Sequence, residues 1–236
     1  MAMAVLQQNK RMHAPALKAV PSQDLQDRIL IQKDAIARDD LAMLVDFASH
    51  QEKKDVTVFD AAGSNAQGRL VYKVDKRIRH AQRVNITPIL EDIKRINQSN
   101  IERFVNPYFA VSISGLEKPQ LLVYGPGGHY KPHVDGEGRW VNAEGQEGWR
   151  KSLDRDLSVV YFLNDAFEGG ELVFPALGLV IKPQAGTMVC FPSTHEYLHG
   201  VSPVTAGQRL SLVTWLRVEG YPTLQEVNRS HPLGRI

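Results

Sequence analysis

A jelly-roll-like β-barrel with helices packed outside it is the fold this sequence predicts, and three observations carry that reading. From Leu121 to Leu216 the chain breaks into short β-type runs punctuated by Gly and Pro; helical periodicity is confined to the N-terminal part; and no repeat of 20 to 50 residues is visible. Close, evenly spaced strands argue for an antiparallel sandwich or barrel, and the missing repeat argues against a propeller or solenoid. At 236 residues the chain is long enough for one substantial core, so one domain with a helical extension is expected. The expected organisation is a disordered tail at 1–20, a helical extension packing on the barrel at 21–106, the barrel core at 107–218 and a C-terminal tail at 219–236.

Taken in order, Pro21-Ser22 reads as a helix entry, with Asp24 and Asp27 in the favourable first turn and Leu25, Ile29 and Ile31 as its apolar positions. A second helix begins near Asp39-Asp40, where Leu41, Leu44, Val45 and Phe47 form one stripe before His50. Val56 to Phe59 and Arg69 to Val74 alternate and flank a turn-rich stretch, which predicts two strands joined by a loop. Thr87 caps a third helix with Pro88 at its first position, and Ile89, Ile93, Ile96, Ile101 and Phe104 recur at helical spacing up to Pro107. Eight strands follow: Leu121 to Tyr124, Tyr130 to Val134, Leu157 to Leu163, Glu171 to Phe174, Leu179 to Ile181, Thr187 to Phe191, Tyr197 to Val201 and Arg209 to Leu216. Between the second and third of these, Gly136 to Asp156 carries Trp140, Trp149 and four glycines without a clean period. It reads as a loop, either a substrate lid or a surface excursion. The segment from Glu219 to Ile236, with Pro222 and Pro232, is an arm able to reach another subunit, and the oligomeric state is open.

Composition excludes several classes of function. The chain is 43% hydrophobic and 23% charged, with 28 Lys and Arg against 26 Asp and Glu. A formal charge of +2 predicts no strong attraction to nucleic acid or to an anionic membrane. No apolar run approaches the roughly 20 residues needed to span a bilayer. Cys190 is the single cysteine, placed in a strand, which leaves no intramolecular disulfide or cysteine-rich zinc site and fits a reducing, cytoplasmic compartment. The apolar start from Met1 to Leu6 is short and is followed, not preceded, by Lys10 and Arg11, the reverse of a secretory signal.

The chemistry centres on Tyr130-Lys-Pro-His133-Val-Asp135. Strand side chains alternate between faces, so residues two apart project together, and an imidazole beside a carboxylate suits a divalent metal. His-x-Asp alone is weak evidence, since it often arises by chance. His199 raises it: a small-residue turn follows, and Arg209 opens the return strand. A barrel can bring this hairpin across from His133, and two histidines with one carboxylate leave open positions on iron for a bidentate co-substrate and dioxygen. Arg209 enters an otherwise apolar strand (Leu210, Leu212, Val213, Trp215) and needs an anion: the co-substrate's distal carboxylate, or an internal Asp or Glu, unless its head group reaches solvent.

The stretch from about Pro107 to Arg217 resembles the iron(II) and 2-oxoglutarate dioxygenase superfamily, in its prolyl 4-hydroxylase-like branch. The carrying residues are Tyr124-Gly-Pro-Gly-Gly-His-Tyr130-Lys-Pro-His133-Val-Asp135, Leu157-Ser-Val-Val-Tyr-Phe-Leu-Asn164, Phe167-Glu-Gly-Gly-Glu171-Leu-Val-Phe-Pro175, His199 and Arg209. The resemblance implies a double-stranded β-helix core, iron(II) on His133, Asp135 and His199, and 2-oxoglutarate on Arg209, with Tyr124 matching a tyrosine that often bonds the same carboxylate. Tyr130 is expected to shape the pocket. His195, four residues before His199, is the rival third ligand; the ten-residue spacing to Arg209 and the Gly-Val-x-Pro-Val that follows favour His199. Of the other histidines, His129 is the candidate for the pocket wall. The implied reaction is hydroxylation of an unactivated C–H bond with release of succinate and CO2, with ascorbate as a reductant. Asp135 stands where halogenating relatives carry a small residue. A peptidyl proline is the favoured substrate, a free amino acid or small metabolite the alternative. A metal-binding barrel without oxygenase activity, or a cupin-type enzyme without a keto acid, is the rival reading; the latter has no need of Arg209. Residues 1–106 show no matching motif.

Overall fold

A computed structural model describes residues 22–59, 71–141 and 145–230. All eight expected strands are present, and they lie in two antiparallel sheets. The larger has eight strands in the order Leu30–Gln32, Met188–Pro192, Leu157–Phe162, Arg209–Val218, Gln120–Tyr124, Gln82–Val84 and Lys53–Asp55, with Ile113–Leu116 pairing the far end of Arg209–Val218. The smaller has five, in the order Leu179–Ile181, Leu172–Phe174, His199–Val201, His129–His133 and Arg79–His80.

The two sheets face each other across Val160, Phe162, Val189 and Phe191 on one side and Leu172, Phe174 and Ile181 on the other. The opposite face of the larger sheet (Leu121, Val123, Val159, Tyr161, Leu212) is covered by Leu44, Ala48, Ile93, Ile96 and Val105 of the helices. Leu157–Phe162 is therefore buried on both faces at every residue, which explains why its sequence is a continuous apolar run and not an alternation. Together these sheets make the double-stranded β-helix expected of the core. No helix among the described residues is long and apolar enough to cross a membrane.

The second helix, Arg38–His50, forms as expected, with Leu44 and Ala48 buried. The first does not. Only Ser22–Gln26 is helical, and Leu30–Gln32 is a strand whose Leu30 pairs with Cys190. Apolar residues at 25, 29 and 31 satisfy either period, and an open sheet edge decides for the strand. The third helix starts as a 3-10 turn at Thr87–Ile89 whose cap position is Ile86, not Thr87, with no side-chain cap; just ahead of it the Asn85 Oδ1 accepts both the Thr87 N–H at 3.1 Å and its hydroxyl at 2.8 Å. Leu90–Asn100 is α-helical, Ile101–Val105 widens to a π turn, and Asn106–Phe109 resumes the α-helix. Pro107 lacks the N–H that an α-helix would return to Arg103, and the widened turn accommodates its ring. The Tyr161 hydroxyl, bonded to the buried Asn97 at 3.2 Å, pins this helix to the sheet.

The segment expected as a helical extension carries strands as well: Leu30–Gln32, Lys53–Asp55 and Gln82–Val84 extend the larger sheet, and Arg79–His80 extends the smaller. Val58–Phe59 pairs with Tyr72–Lys73 as a short hairpin; the expected connecting loop lies outside the described residues, as does the tail at 1–20. Three further strands were not legible: Ile113–Leu116, Phe167–Gly169 and Val204–Gly207, all of them short and glycine-bearing. The stretch read as a loop after Asp135 is mostly a β-hairpin, Glu137–Val141 against Glu147–Lys151, with Arg139 opposite Trp149. Beyond Glu219, Leu224–Ser230 is a helix docked on the segment after this hairpin, its Leu224 N–H on the Asp154 carboxylate at 2.7 Å.

Candidate metal and anion site

Antiparallel register brings the two histidines together: His199 lies opposite His133, and their rings are 4.3 Å apart. Gly200 permits this approach, because a Cβ there would meet the Tyr130 carbonyl at 2.8 Å and the Pro132 nitrogen at 3.0 Å. Both rings are oriented in the same way. The Nδ1–H of His133 donates to the Lys131 carbonyl at 3.0 Å, and that of His199 to the Tyr197 carbonyl at 3.0 Å. A carbonyl only accepts, so the proton sits on Nδ1 and the Nε2 lone pair faces inward. Those Nε2 atoms stand 3.5 and 3.4 Å from the two oxygens of Asp135. Lone pairs and a carboxylate converging with no proton donor between them make a cation site; one ligand atom from each of the three lies within 4.8 Å of the others.

Asp135 is held from behind. The Ser158 hydroxyl donates to its Oδ2 at 2.7 Å and is 2.7 Å from the Ser193 hydroxyl. The next residue, Gly136, donates to the Ser193 carbonyl at 2.8 Å, and a Cβ on it would fall 2.4 Å from the Arg155 carbonyl. Arg155 itself grips Glu117 with two bonds of 2.6 Å and covers the Trp215 ring at 3.7 Å. Burial alone would raise the Asp135 pKa, yet His199 and His133 beside it outweigh burial and hold the carboxyl far below its usual range. Burial, reinforced by His133, pushes His199 down to about 4, so this ring is neutral and ready to ligate at physiological pH. Ser158, Ser193, Gly136 and Arg155 were not singled out from the sequence. Only Ser158 gave a signal, as a hydroxyl inside an apolar run.

Arg209 opens its strand opposite Tyr124 and is 1% exposed, with its guanidinium 5.0 Å from the Tyr124 ring and 5.4 Å from that of Phe162. Among the described residues it has no carboxylate partner, and its buried Nε has no acceptor. Both rival readings fail here, since the head group reaches neither an internal acid nor solvent. Burial lowers its pKa, opposed by Tyr124. Two residues on, opposite Leu122, the Ser211 hydroxyl is also buried without a partner. A buried unpaired guanidinium is costly unless an anion meets it, so this is the place for a carboxylate. Arg209, Tyr124 and the three metal-site residues line one cavity of about 950 Å³, with Val160, Leu172, Val201 and Val213 as its apolar wall.

Tyr130 lies on the same wall, stacked on His133 at 3.6 Å. His195 is not part of the triad: its ring bonds Glu137 at 2.7 Å and stacks on Trp149 at 5.3 Å, tying the hairpin to the turn before His199. His129 is not on the cavity wall; it bonds the Gly127 carbonyl at 3.0 Å.

Residues 119–217 match the family model described as the 2OG-Fe(II) oxygenase superfamily. A PKHD-type hydroxylase of Paraburkholderia phytofirmans is 34% identical over 145 residues, 59% of this chain and 60% of that protein. Human prolyl 3-hydroxylase 2 is 25% identical over 188 residues, 76% of this chain but 25% of that protein. The chain thus spans less than two thirds of these curated relatives. Among solved structures, a Pseudomonas putida prolyl-4-hydroxylase aligns with a TM-score of 0.52 at 22% identity, over 84% of this chain and 97% of that one. A Trichoplax adhaerens prolyl hydroxylase, in complex with a hypoxia inducible factor peptide fragment, aligns with a TM-score of 0.56 at 18% identity, over 84% and 87%. These two likenesses establish the shared fold.

Proposed function

Residues 119–217 belong to the 2OG-Fe(II) oxygenase superfamily, with prolyl hydroxylase-like relatives, and from that premise we propose that this chain hydroxylates an unactivated C–H bond, with a prolyl residue of a peptide as substrate. In this reading His133, Asp135 and His199 hold iron(II), and Arg209, with the hydroxyls of Tyr124 and Ser211, holds the distal carboxylate of 2-oxoglutarate. The bound metal and co-substrate supply the oxidising power: one dioxygen is divided between the new substrate hydroxyl and 2-oxoglutarate, which leaves as succinate and CO2.

The protein's own part is to hold and to exclude. The Nδ1 bonds to Lys131 and Tyr197 fix both rings, so that the two Nε2 lone pairs would be ready to hold a metal ion. Ser158 fixes the Asp135 carboxylate. Val160, Leu172 and Val213 keep the cavity wall dry beside Arg209, which strengthens its hold on a carboxylate. No side-chain general base is required.

The observation that carries this proposal is Arg209, a fully buried cation without a counter-ion in the cavity that also holds the triad. A cupin-type site without a keto acid leaves it unexplained. Anaerobic addition of iron(II) and 2-oxoglutarate should produce a weak visible charge-transfer band in the wild type that weakens in Arg209→Ala. Metal binding with no band at saturating 2-oxoglutarate sinks the oxygenase reading. The peptide is supported by the size of the cavity and by the similarity to prolyl hydroxylases; succinate released against a peptide panel but not against free amino acids is the expected outcome.

A further inference from the structure

Between the two sheets the chain passes from one cavity wall to the other within five residues, Arg79 to Arg83. Arg79 pairs with Tyr130 in the metal-bearing sheet, Ala81 is buried at 4% exposure, and Arg83 pairs with Leu122 in the sheet that carries Arg209. Both arginines line the cavity, one from each wall. Neither has an ion-pair partner among the described residues, and the acids of the surrounding segments are engaged elsewhere. Asp55 is with Lys76 at 3.0 Å and Gln82 at 3.2 Å, Asp75 with Arg77 at 2.8 Å, and Glu117 with Arg155. The Arg79 Nε is buried with no acceptor, a cost that a surface arginine of no function would not carry.

Arg79 is also placed against the chemistry. Its guanidinium lies 4.5 Å over the Tyr130 ring, which stacks on the His133 ring at 3.6 Å, so cation, phenol and metal ligand form one column. A group held by Arg79 would sit roughly two extended residues from the metal, at about 3.5 Å per residue. At the cavity mouth, exposed Phe59 and Tyr72 meet edge to face at 6.0 Å. An opening with aromatic rims, in a cavity of about 950 Å³, takes a length of peptide and not a single amino acid.

We propose that Arg79 and Arg83 form a carboxylate-reading subsite, which selects peptides carrying an Asp or Glu side chain about two residues from the oxidised position. The fork of each guanidinium matches a carboxylate, and a pair on facing walls brackets one acidic side chain. This deepens the oxygenase reading above and rests on it.

The test uses the full chain, loaded anaerobically with iron(II) and 2-oxoglutarate and immobilised. It is offered two pools of proline-containing random peptides with amidated C-termini, identical except that Asp and Glu in one are replaced by Asn and Gln in the other. Wild type should retain the acidic pool at least tenfold better. Arg83→Gln should reduce that ratio, Arg79→Gln should reduce it further, and the double variant should bring it near one. Equal retention of both pools by wild type, or a ratio that survives in the double variant, overturns the proposal. So does displacement of every peptide by free amino acids with no pool preference. The charge-transfer band is recorded for each preparation. A normal wild-type band with equal retention removes the acidic subsite alone, whereas a wild type with no band removes the oxygenase reading beneath it. A variant that loses its band is replaced by its Lys counterpart, which keeps the charge: restored preference supports the subsite, and continued equal retention with the band present counts against it.

Discussion

The two walls of the cavity are built on opposite principles. On the five-stranded sheet the two metal-site histidines are already satisfied: the Nδ1 of His133 is tied to the backbone of its own strand and that of His199 to the turn just before its strand, while Asp135, two residues past the strand end, is held by Ser158 from the other sheet. On the eight-stranded sheet the Arg209 Nε and the Ser211 hydroxyl are left buried without a partner, and Arg209 has no carboxylate beside it among the described residues. The difference teaches which ligand is preorganised for and which is paid for by unmet polar groups. On the proposed reading the cation site is shaped before an ion arrives, while the anion site carries its desolvation cost until a carboxylate binds.

The largest break in this contrast is Asp135→Ala. It removes the one negative charge between two lone pairs, and iron(II) binding, followed by calorimetry, should fall below detection, while 2-oxoglutarate binding is lost with it because the chelating partner is gone. Next comes acid. His199 is depressed from 6.5 to about 4 in the folded protein, so the unfolded chain binds more protons between those values. Its contribution is full above about pH 6.5 and is lost as pH falls towards 4, roughly 3 kcal/mol of apoprotein stability by linkage. Asp135, also depressed, extends the loss to lower pH. Denaturant midpoints of the metal-free protein measured from pH 7.5 to 4.5 should decline accordingly; a flat profile would break the claim that this ring is held neutral.

Arg209→Met sharpens the comparison from the other wall. The affinity for 2-oxoglutarate should drop about a hundredfold, the loss of a buried charged contact of roughly 3 kcal/mol. Iron(II) affinity should hold, and the stability of the ligand-free protein should stay level or rise, since an unpaired buried cation has been removed. A ligand-free protein that is strongly destabilised would mean Arg209 has a structural partner after all. The smallest expected effect is Ser158→Ala, with about tenfold weaker iron(II) binding from a carboxylate free to rotate, and little change in 2-oxoglutarate affinity at saturating metal.

Legibility along the chain followed how local each signal was. Leu157–Phe162 and Arg209–Val218 announce themselves because strands buried on both faces, or nearly so, must be apolar throughout. Leu30–Gln32 was hidden, since the partner that makes it a strand, Cys190, is far along the chain. The hairpin after Asp135 was hidden for a different reason. Its strands are half-exposed, so burial does not impose a period on them, and their order comes from cross-strand pairs such as Arg139 with Trp149. Thr87 read as a cap because its residue type fits that role, yet its hydroxyl is spent on Asn85 and the helix begins at Thr87 itself.

By itself, the sequence determined the barrel, the pairing of His133 with Asp135 as one cluster, and the arrival of His199 and Arg209 on a later hairpin. Each of these is written in residue type and spacing, because strand alternation converts spacing into direction. Only the tertiary structure decided that His195 binds Glu137 and not the metal cluster, that Gly136 and Ser158 hold Asp135 in place, and that Arg209 has no internal counter-ion. Those are statements about which groups from distant strands meet and which are left unmet. Such meetings are set by how the two sheets close on each other, and a linear order of side chains does not encode that distance.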